Sequence, residues 1–509
     1  MALPEPNSAW PPPAWAAAYA TYAENEAWYL GDVDKLTKVY QRNGATRPVE
    51  VRGQRNGGVV GAVSRFFWGR PVPAGQNRTR LHIPAPADLA TLSSDLMFSE
   101  PPEVRIEGLT ALQQARLDLI ANSDGAHATF NEMGELKAAL GATVIASEWD
   151  QDVADHVWLE SYGVDVVIPE FRKKRLLAAT MWTEYVDGNR YFRHLERHER
   201  GMIEHALYEG TADKIGRRVP LQDRPETEHI ALIVDADSRI LTGLDRLTVS
   251  YNKNMPTMAW RKKGELAAAG RSDFAQLHPL FDALDETWSS WMRDLKQGAG
   301  KVLVPQGAAT AGGPGTGASF DTGQEFFVEL NAPGEIGKVS FDKIQFDIRV
   351  EQHERTAYAI YREILRKAGY SPSAWGDYGA NGAITATEID DRSQGSERTR
   401  DKKALFDKQA IGEQASVALE LDGLLFPGKG GGRHDKPITV EFPEVSQEDP
   451  EKRARTLQML DAARSISTEA RVRYRLEGEN LTEPEILAEI ERVQKEQGEA
   501  APDPTTFTG

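Results

Sequence analysis

Residues 270–295 read GRSDFAQLHPLFDALDETWSSWMRDL, and the apolar positions in this stretch decide the architecture. Phe274, Leu277, Phe281, Leu284, Trp288, Trp291 and Leu295 recur at steps of 3, 4, 3, 4, 3 and 4, which lays one narrow apolar seam along a helix. Ser272 stands where a cap belongs, and Gly298 and Gly300 stop the pattern. At about 1.5 Å per residue this helix is a rod of roughly 40 Å. A second seam runs from Val350 to Lys367, where Val350, His353, Ala357, Ile360 and Ile364 repeat the alternation. Seams this narrow suit helices that pack lengthwise against neighbours, not helices sunk in a globular core.

The segment joining the rods is irregular. Gly307 to Gly323 (GAATAGGPGTGASFDTG) is rich in Gly, Ala and Thr, and a strand-like FFVEL follows at Phe326 to Leu330. After the second rod comes GYSPSAWGDYGANGA, Gly369 to Ala383, dense in chain breakers and carrying Trp375 and Tyr378. Ala386 to about Gly423 reads as one longer helix whose first half is charged and whose second half regains an apolar face through Leu405, Phe406, Ile411, Ala415, Ala418 and Leu419. Beyond the flexible GKGGG at Gly428 to Gly432, alternating Ile438, Val440 and Phe442 make a short strand. Helices follow from Ser446 to about Ile466, from Ser467 and Thr468, and over Pro484 to Lys495, the last with a Thr482 and Glu485 capping box. The final GEAAPDPTTFTG is expected to be disordered.

Upstream of the rods, helical spacing covers Trp15 to Tyr29, Pro86 to Met97, Leu109 to Ile120 and Asn131 to Leu140. The period then changes to two. Thr143 to Asp150, Val164 to Pro169, Leu176 to Tyr185, Tyr191 to Glu196, Met202 to Tyr208 and His229 to Val234 read as strands, with Gly188 and Gly201 at hairpin turns. The fold class is α+β, with helices preceding a largely antiparallel meander.

The chain has 509 residues, with 60 Lys and Arg against 77 Asp and Glu, a net charge of −17. A surface that grips nucleic acid everywhere needs a cationic footprint, so any DNA contact here is local or weak. The absence of Cys excludes disulfides, thiolate metal sites and Cys nucleophiles. Prolines interrupt the N-terminal run MALPEPNSAWPPPAWAAAYA, so no signal peptide is expected, and no run of 18 apolar residues suggests a membrane span. The chain therefore reads as cytosolic and soluble, and the glycosylation patterns at Asn77 and Asn480 carry no meaning in that context.

Several motifs invite sharper readings. HLERH sets His194 and His198 four apart, with His205 nearby, but a strand separates them too far to share an ion, and no HExxH or carboxylate pattern completes a ligand set. GEIGKV at Gly334 to Val339 lacks the spacing and the closing Ser or Thr of a phosphate loop. Pairs such as Asp150 with Asp152 and Asp390 with Asp391 are expected by chance among 77 acids. No G-x-S-x-G elbow exists, so neither a catalytic residue nor a cofactor is assigned. Asp390 to Lys403 (DDRSQGSERTRDKK) leaves two readings open: a solvated face with i, i+4 ion pairs, or a basic strip near a nucleic-acid path built on Arg392, Arg398, Arg400, Lys402 and Lys403. Trp375 and Tyr378 are likewise open between packing and stacking on bases.

The order of elements, together with RLHIPAPADLATLSSDLMFSEPP (Arg80 to Pro102), RHLERHERGMIEHALYEG (Arg193 to Gly210), residues 270–295 and ITATEIDDRSQGSERTRDKKALF (Ile384 to Phe406), closely resembles the portal proteins of tailed bacteriophages, of the siphophage type and near those of phages infecting actinobacteria. The resemblance spans nearly the whole chain and rests on collinearity, not on one motif. It implies a portal fold with wing, two-helix stem, clip and helical crown, assembled as a cyclic ring of twelve at one capsid vertex. Double-stranded DNA would pass through its channel during packaging and ejection. Large terminase, head-completion or adaptor proteins, and major capsid and scaffold proteins would be its partners, with no membrane involved. The place implied is the virion's portal vertex, reached from the host cytoplasm.

Carried over by order, the resemblance implies a wing at 1–270, a first stem helix at 271–302, a clip at 303–349 and a second stem helix at 350–367. It further implies a tunnel loop at 368–384, a long wing helix and strand at 385–440, a crown at 441–497 and a disordered tail at 498–509. The Gly-rich stretch of the clip departs from the family pattern. Trp375, Asp377, Tyr378 and Asn381 would face DNA in the tunnel loop. Glu351, Glu354, Glu363, Arg366 and Lys367 are the candidates for lining the channel, although cations at this helix end also complement the helix dipole. Phe281, Trp288, Trp291 and Leu295 are the candidate seam between subunits, because a ring needs heterologous interfaces. A minor head protein without a closed channel is the alternative.

Overall fold

A computed structural model describes residues 3–46, 81–298, 301–305, 326–329, 342–344, 349–375, 386–443, 450–462, 466–476 and 483–499. Two compact units divide the chain, Met1–Phe442 and Pro443–Gly509.

In the first unit, α1 (Ala16–Leu30), α2 (Val33–Thr46), α3 (Ala85–Phe98), α4 (Ala111–Ala121) and α5 (Asp124–Leu140) come before most of the strands, as the helical spacing predicts. Thr110 and Gln113 close a reciprocal capping box on α4. Helix α5 begins seven residues earlier than its apolar spacing suggests, because Ser123 accepts from the Ala126 amide and starts the helix there.

The meander is a six-stranded sheet: β4 (Val167–Arg172), β5 (Arg175–Asp187), β6 (Arg190–Glu199), β7 (Met202–Thr211) and β8 (Lys214–Val219) pair in that order, and β9 (Arg239–Leu241) joins β7. Gly188 (φ +61°) and Gly201 (φ +83°) supply the left-handed backbone that the tight turns into β6 and β7 require. A second sheet has the order β10-β2-β3, from β10 (Val249–Lys253), β2 (Ala142–Glu148) and β3 (Trp158–Gly163).

Two expectations fail here. Val164–Val166 is a 3₁₀ turn that precedes β4. His229 to Val234 is not a strand: Ile230–Leu232 is also 3₁₀, with Leu232 and Ile233 donating back to His229 and Ile230. The helical turn Pro225–Glu228, with Pro at its start, has already set a helical path into this apolar run.

The rods are α6 (His278–Gly298) and α7 (Val350–Ala368), and the longer helix is α8 (Ala386–Leu425), 40 residues. Helix α6 starts at His278, not beside Ser272. Pro279 occupies its first turn, where a missing amide costs nothing, and Gln276 before it is left-handed at φ +69°. Ser272 instead accepts from the Phe274 amide and donates towards the Ala138 and Ala139 carbonyls at the end of α5. Between the rods, β11 (Lys301–Pro305) pairs parallel with β12 (Phe326–Glu329) and antiparallel with β13 (Asp342–Ile344). Lys301 and Val302, allotted to the first stem helix by the resemblance, therefore lie on a strand.

One core gathers Trp15, Trp28, Leu36, Leu89, Phe274, Phe281, Leu284 and Ile364. Another packs Phe98, Phe130 and Met133 against Ile411, Ala415 and Leu419 of α8 and against Val440 on β14 (Ile438–Glu441), which pairs with β1 (Glu103–Ile106). The second unit holds α9 (Pro450–Ala462), α10 (Thr468–Leu476) and α11 (Glu483–Glu499), and Val472 and Leu476 of α10 form a small core with Ile490 of α11.

Candidate functional site: the paired rods and the adjoining cleft

The end of α6 meets the start of α7, so the rods run antiparallel. Trp291 and His353 stack at 6.1 Å with planes 7° apart, and His353 Nε2 lies 2.8 Å from Asp294 Oδ2. Arg349 reaches the same oxygen at 3.3 Å. Burial acts to raise the Asp294 carboxyl, but hydrogen bonds from His353 and Arg349 and their charges outweigh it and hold the group below the usual carboxylate range. Trp288 and Trp291 lie 5.0 Å apart, both half-buried, while Leu295 is exposed. The Trp291 indole N–H has no acceptor among the described residues.

Phe281 belongs elsewhere. Its ring is 1% exposed and packs on Trp28, Phe274 and His278 inside the chain's own core. It offers nothing to a neighbouring copy, and the candidate seam narrows to Trp288, Trp291 and Leu295. The sequence pattern could not separate the two ends of this seam, because inward and outward apolar positions share one spacing.

Of the candidate channel residues on α7, Glu351, Glu354, Arg366 and Lys367 are exposed and Glu363 is half-buried. Three of them are already paired: Glu363 with Arg366 at 2.6 Å, and Glu351 with Arg355 at 3.6 Å. Asp377, Tyr378 and Asn381 lie outside the described residues. Trp375 ends a 3₁₀ turn, Pro372–Trp375, and its side chain is likewise outside them.

The charged stretch before Phe406 resolves into two faces. Arg400 and Lys403 are buried. Arg400 donates to the Leu96 carbonyl, and Lys403 Nζ bonds Asp273 Oδ2 at 2.5 Å, Ser93 Oγ at 2.7 Å and Tyr370 Oη at 2.9 Å. Burial pulls the Lys403 ammonium down, opposed by Asp273. Two more buried ion pairs key α8 to the helical half: Lys137 with Asp407, and Arg116 with Asp422, where Nε lies 2.7 Å from Oδ2. Sequence reasoning missed all three pairs, since each joins residues more than a hundred positions apart.

The other face opens outward. Arg398 and Lys402 of α8 and Arg355, Arg362 and Arg366 of α7 line a cleft of about 870 Å³ between the two helices.

The three histidines occupy neighbouring strands. His194 Nε2 lies 3.2 Å from His205 Nδ1 with the rings 3° from parallel, while His198 Nδ1 bonds Thr248 Oγ1 at 2.7 Å. Burial, then the neighbouring His205, pushes His194 down to about 4. Among the described residues no group of three His, Asp or Glu side chains is placed to hold a metal ion. Nor is any described helix long and apolar enough to cross a membrane.

The family profile described as "Phage portal protein, SPP1 Gp6-like" matches residues 212–503, more than half of the chain. No curated protein matches the sequence. Among solved structures, a chain of the virion of the native gene transfer agent particle is similar at 13% identity and TM-score 0.39, over 82% of this chain and 99% of that one. Chains from the neck of the empty particle, computed with C6 symmetry, and of the native particle, computed with C12 symmetry, are both 14% identical. Their TM-scores are 0.41 and 0.38, over 82% and 83% of this chain and 99% and 94% of theirs.

Proposed function

The chain belongs to the SPP1 Gp6-like family of phage portal proteins, and from that premise we propose that twelve copies close into a ring at the head vertex through which double-stranded DNA is packaged and ejected. The family match carries this reading. The antiparallel rods support it, because two helices joined at one end by Trp291, His353 and Asp294 form a stiff stave of the kind a channel wall needs.

In this reading α6 and α7 are the stem, β11 to β13 belong to the clip, α8 crosses the wing, residues 368–384 form the tunnel loop and α9 to α11 form the crown. Trp288, Trp291 and Leu295 meet the next copy, and Glu351 and Glu354 face the channel. The ring is a non-catalytic platform: a terminase supplies the motor, and head-completion proteins replace it once the genome is inside. A ring of twelve chains at −17 each repels a polyanion overall, within a screening length of about 8 Å. That suits a conduit in which DNA must slide, since each neutralised phosphate adds affinity and so friction.

Negative-stain electron microscopy of the purified protein, with a native mass, tests the proposal. Closed rings with a central hole and a mass near twelve times 56.3 kDa are expected. A monomer that stays monomeric inside assembled heads overturns it and favours a minor head protein.

A further inference from the structure

Strand β10 is an outer strand of its three-stranded sheet, and among the described residues it pairs only with β2. Thr248 O accepts from Ser147 N at 2.9 Å and Asn254 N donates to Gly141 O at 3.0 Å, so the even-numbered residues from Thr248 to Asn254 turn their backbone towards β2. Val249, Tyr251 and Lys253 therefore turn their N–H and C=O groups the other way, where no described residue bonds them. This open edge lines a groove of about 500 Å³. An unpaired edge in a groove is a template for one more strand. We infer that the groove docks an extended, acidic peptide segment of a partner protein, which adds to β10 as a strand. The inference goes beyond the ring reading and does not depend on it.

The two walls of the groove set the chemistry of the added strand. On one face of β10, Ser250 donates to the Ala410 carbonyl and Asn252 to Asp407, so α8 forms that wall, with Phe406 and Val417 beside the groove. On the other face, Tyr251 meets Phe171 edge to face at 5.0 Å and Val249 packs with Val167 and Met181, so the hairpin of β4 and β5 forms the opposite wall. Side chains of a strand laid along the edge alternate between these walls. Apolar groups suit the α8 wall, and charge decides the rest.

Lys174, Arg175, Arg200 and Lys253 line the groove, and none of them has a carboxylate partner among the described residues. A fifth cation, Arg246, is engaged by Ser416 and Glu420, and the acids of the lining are Asp245 and Glu413. In a chain with 77 acids to 60 bases, this cluster runs against the overall charge and complements a peptide rich in carboxylates. The turn between β4 and β5 holds Lys173 and Lys174 in the left-handed region, at φ +50° and +65°, where backbone ease alone favours Asn and Gly. Two Lys at that tip trade backbone ease for positive charge. Burial, then the charge of Lys174, pulls the Lys253 ammonium down, and a carboxylate between the two relieves their repulsion. Lys253 also discourages an uncharged strand from pairing at this edge, which leaves the edge selective for acidic ones. Duplex DNA suits the groove less well, because phosphates satisfy the cations but neither the strand edge nor the apolar walls.

Fluorescence anisotropy of the full-length protein with a labelled nine-residue peptide of alternating Glu and Val, in 50 mM salt, tests the groove. Binding is expected, and it should weaken about tenfold or more for the peptide with Lys in place of Glu. An acidic peptide N-methylated at alternate residues, which cannot form the strand bonds, should lose as much. Lys174→Glu with Arg175→Glu should weaken binding of the acidic peptide about tenfold, and Arg200→Glu severalfold, with circular dichroism unchanged because all three side chains are exposed. No binding by the acidic peptide, equal binding of the N-methylated one, or unaltered affinity in both variants overturns the inference. So does a 20-base-pair duplex that binds more tightly than the peptide and loses affinity in the same variants, which assigns the cations to nucleic acid. Binding by a monomer that vanishes in the ring makes the groove a contact between copies and also overturns it. Native mass on the same samples reads the ring separately: peptide binding by a protein that never forms rings leaves the groove standing and removes the ring.

Discussion

Lys403, near the middle of α8, places its ammonium 2.5 Å from Asp273, the residue that leads into the first rod. Helix and rod entry are thereby locked at one buried point, with Tyr370 and Ser93 taking the remaining donors. Removing one partner strands the other charge out of water, which costs about 3–5 kcal/mol, whereas replacing both with apolar groups of similar size is close to neutral. Lys403→Met alone and Asp273→Leu alone should therefore each lower the urea midpoint clearly, and the double variant should recover most of the loss. Additive losses in the double variant would show that the two residues act separately.

The seam prediction turns on which apolar residues remain available after the chain has folded. Phe281 and Leu284 are spent on the chain's own core, but Trp288 and Trp291 are half-covered and Leu295 is exposed. A carboxylate at either Trp loses some packing within the chain, on the edge of the core for Trp288 and on His353 for Trp291, and in a ring it is in addition sealed against an apolar neighbour. Trp288→Asp or Trp291→Asp should leave the circular dichroism spectrum nearly unchanged while reducing the ring fraction by native mass severalfold. Full rings from both variants would move the subunit contact elsewhere.

These outcomes also mark what the sequence could and could not convey. The 3, 4 alternation located both rods, and period-two alternation with turn glycines located β5, β6 and β7, because those signals are local and each residue's role is set by near neighbours. The start of α6 was misjudged, since Ser272 has the chemistry of a cap but its hydroxyl is drawn to the Ala138 and Ala139 carbonyls. His229 to Val234 has strand composition, yet the preceding helical turn sets its path. The basic strip was legible as charge, but only the packing of α8 shows that Lys403 points inward and Lys402 outward. A one-residue step on a helix turns a side chain by about 100°, and the partners that select the inward residue lie far away in the chain.

Trp375 and Tyr378 sit in a segment of breakers between α7 and α8, the position the family resemblance gives to the tunnel loop. The test substitutes both, Trp375→Gly with Tyr378→Gly. Rings should still assemble, and heads built on them should contain less packaged genome, measured as nuclease-protected DNA per particle. Normal packaging would remove the loop from the DNA path.

A pH prediction follows from His194 and His205. At 3.2 Å one ring nitrogen must donate and the other accept, so the pair is stable when at least one imidazole is neutral. Burial lowers both groups, His194 to about 4, aided there by the charge of His205 and opposed by Glu196. An unfolded histidine titrates near pH 6.5, so between about pH 6.5 and 4 the unfolded chain binds more protons than the folded one. Stability from this pair is therefore present above that window and is lost as the pH falls through it. Glu148 contributes with the opposite sign: burial, then the Glu196 charge, raises it to about 7, so its share of stability grows as the pH falls below that value. The informative measurement is thus a difference. His194→Gln with His205→Gln should be less stable than the unaltered protein at pH 7.5 and should close that gap as the pH approaches 4, because it no longer resists protonation. A gap constant from pH 7.5 to 4 would show that the stacked pair takes up its protons in the folded chain as readily as in the unfolded one.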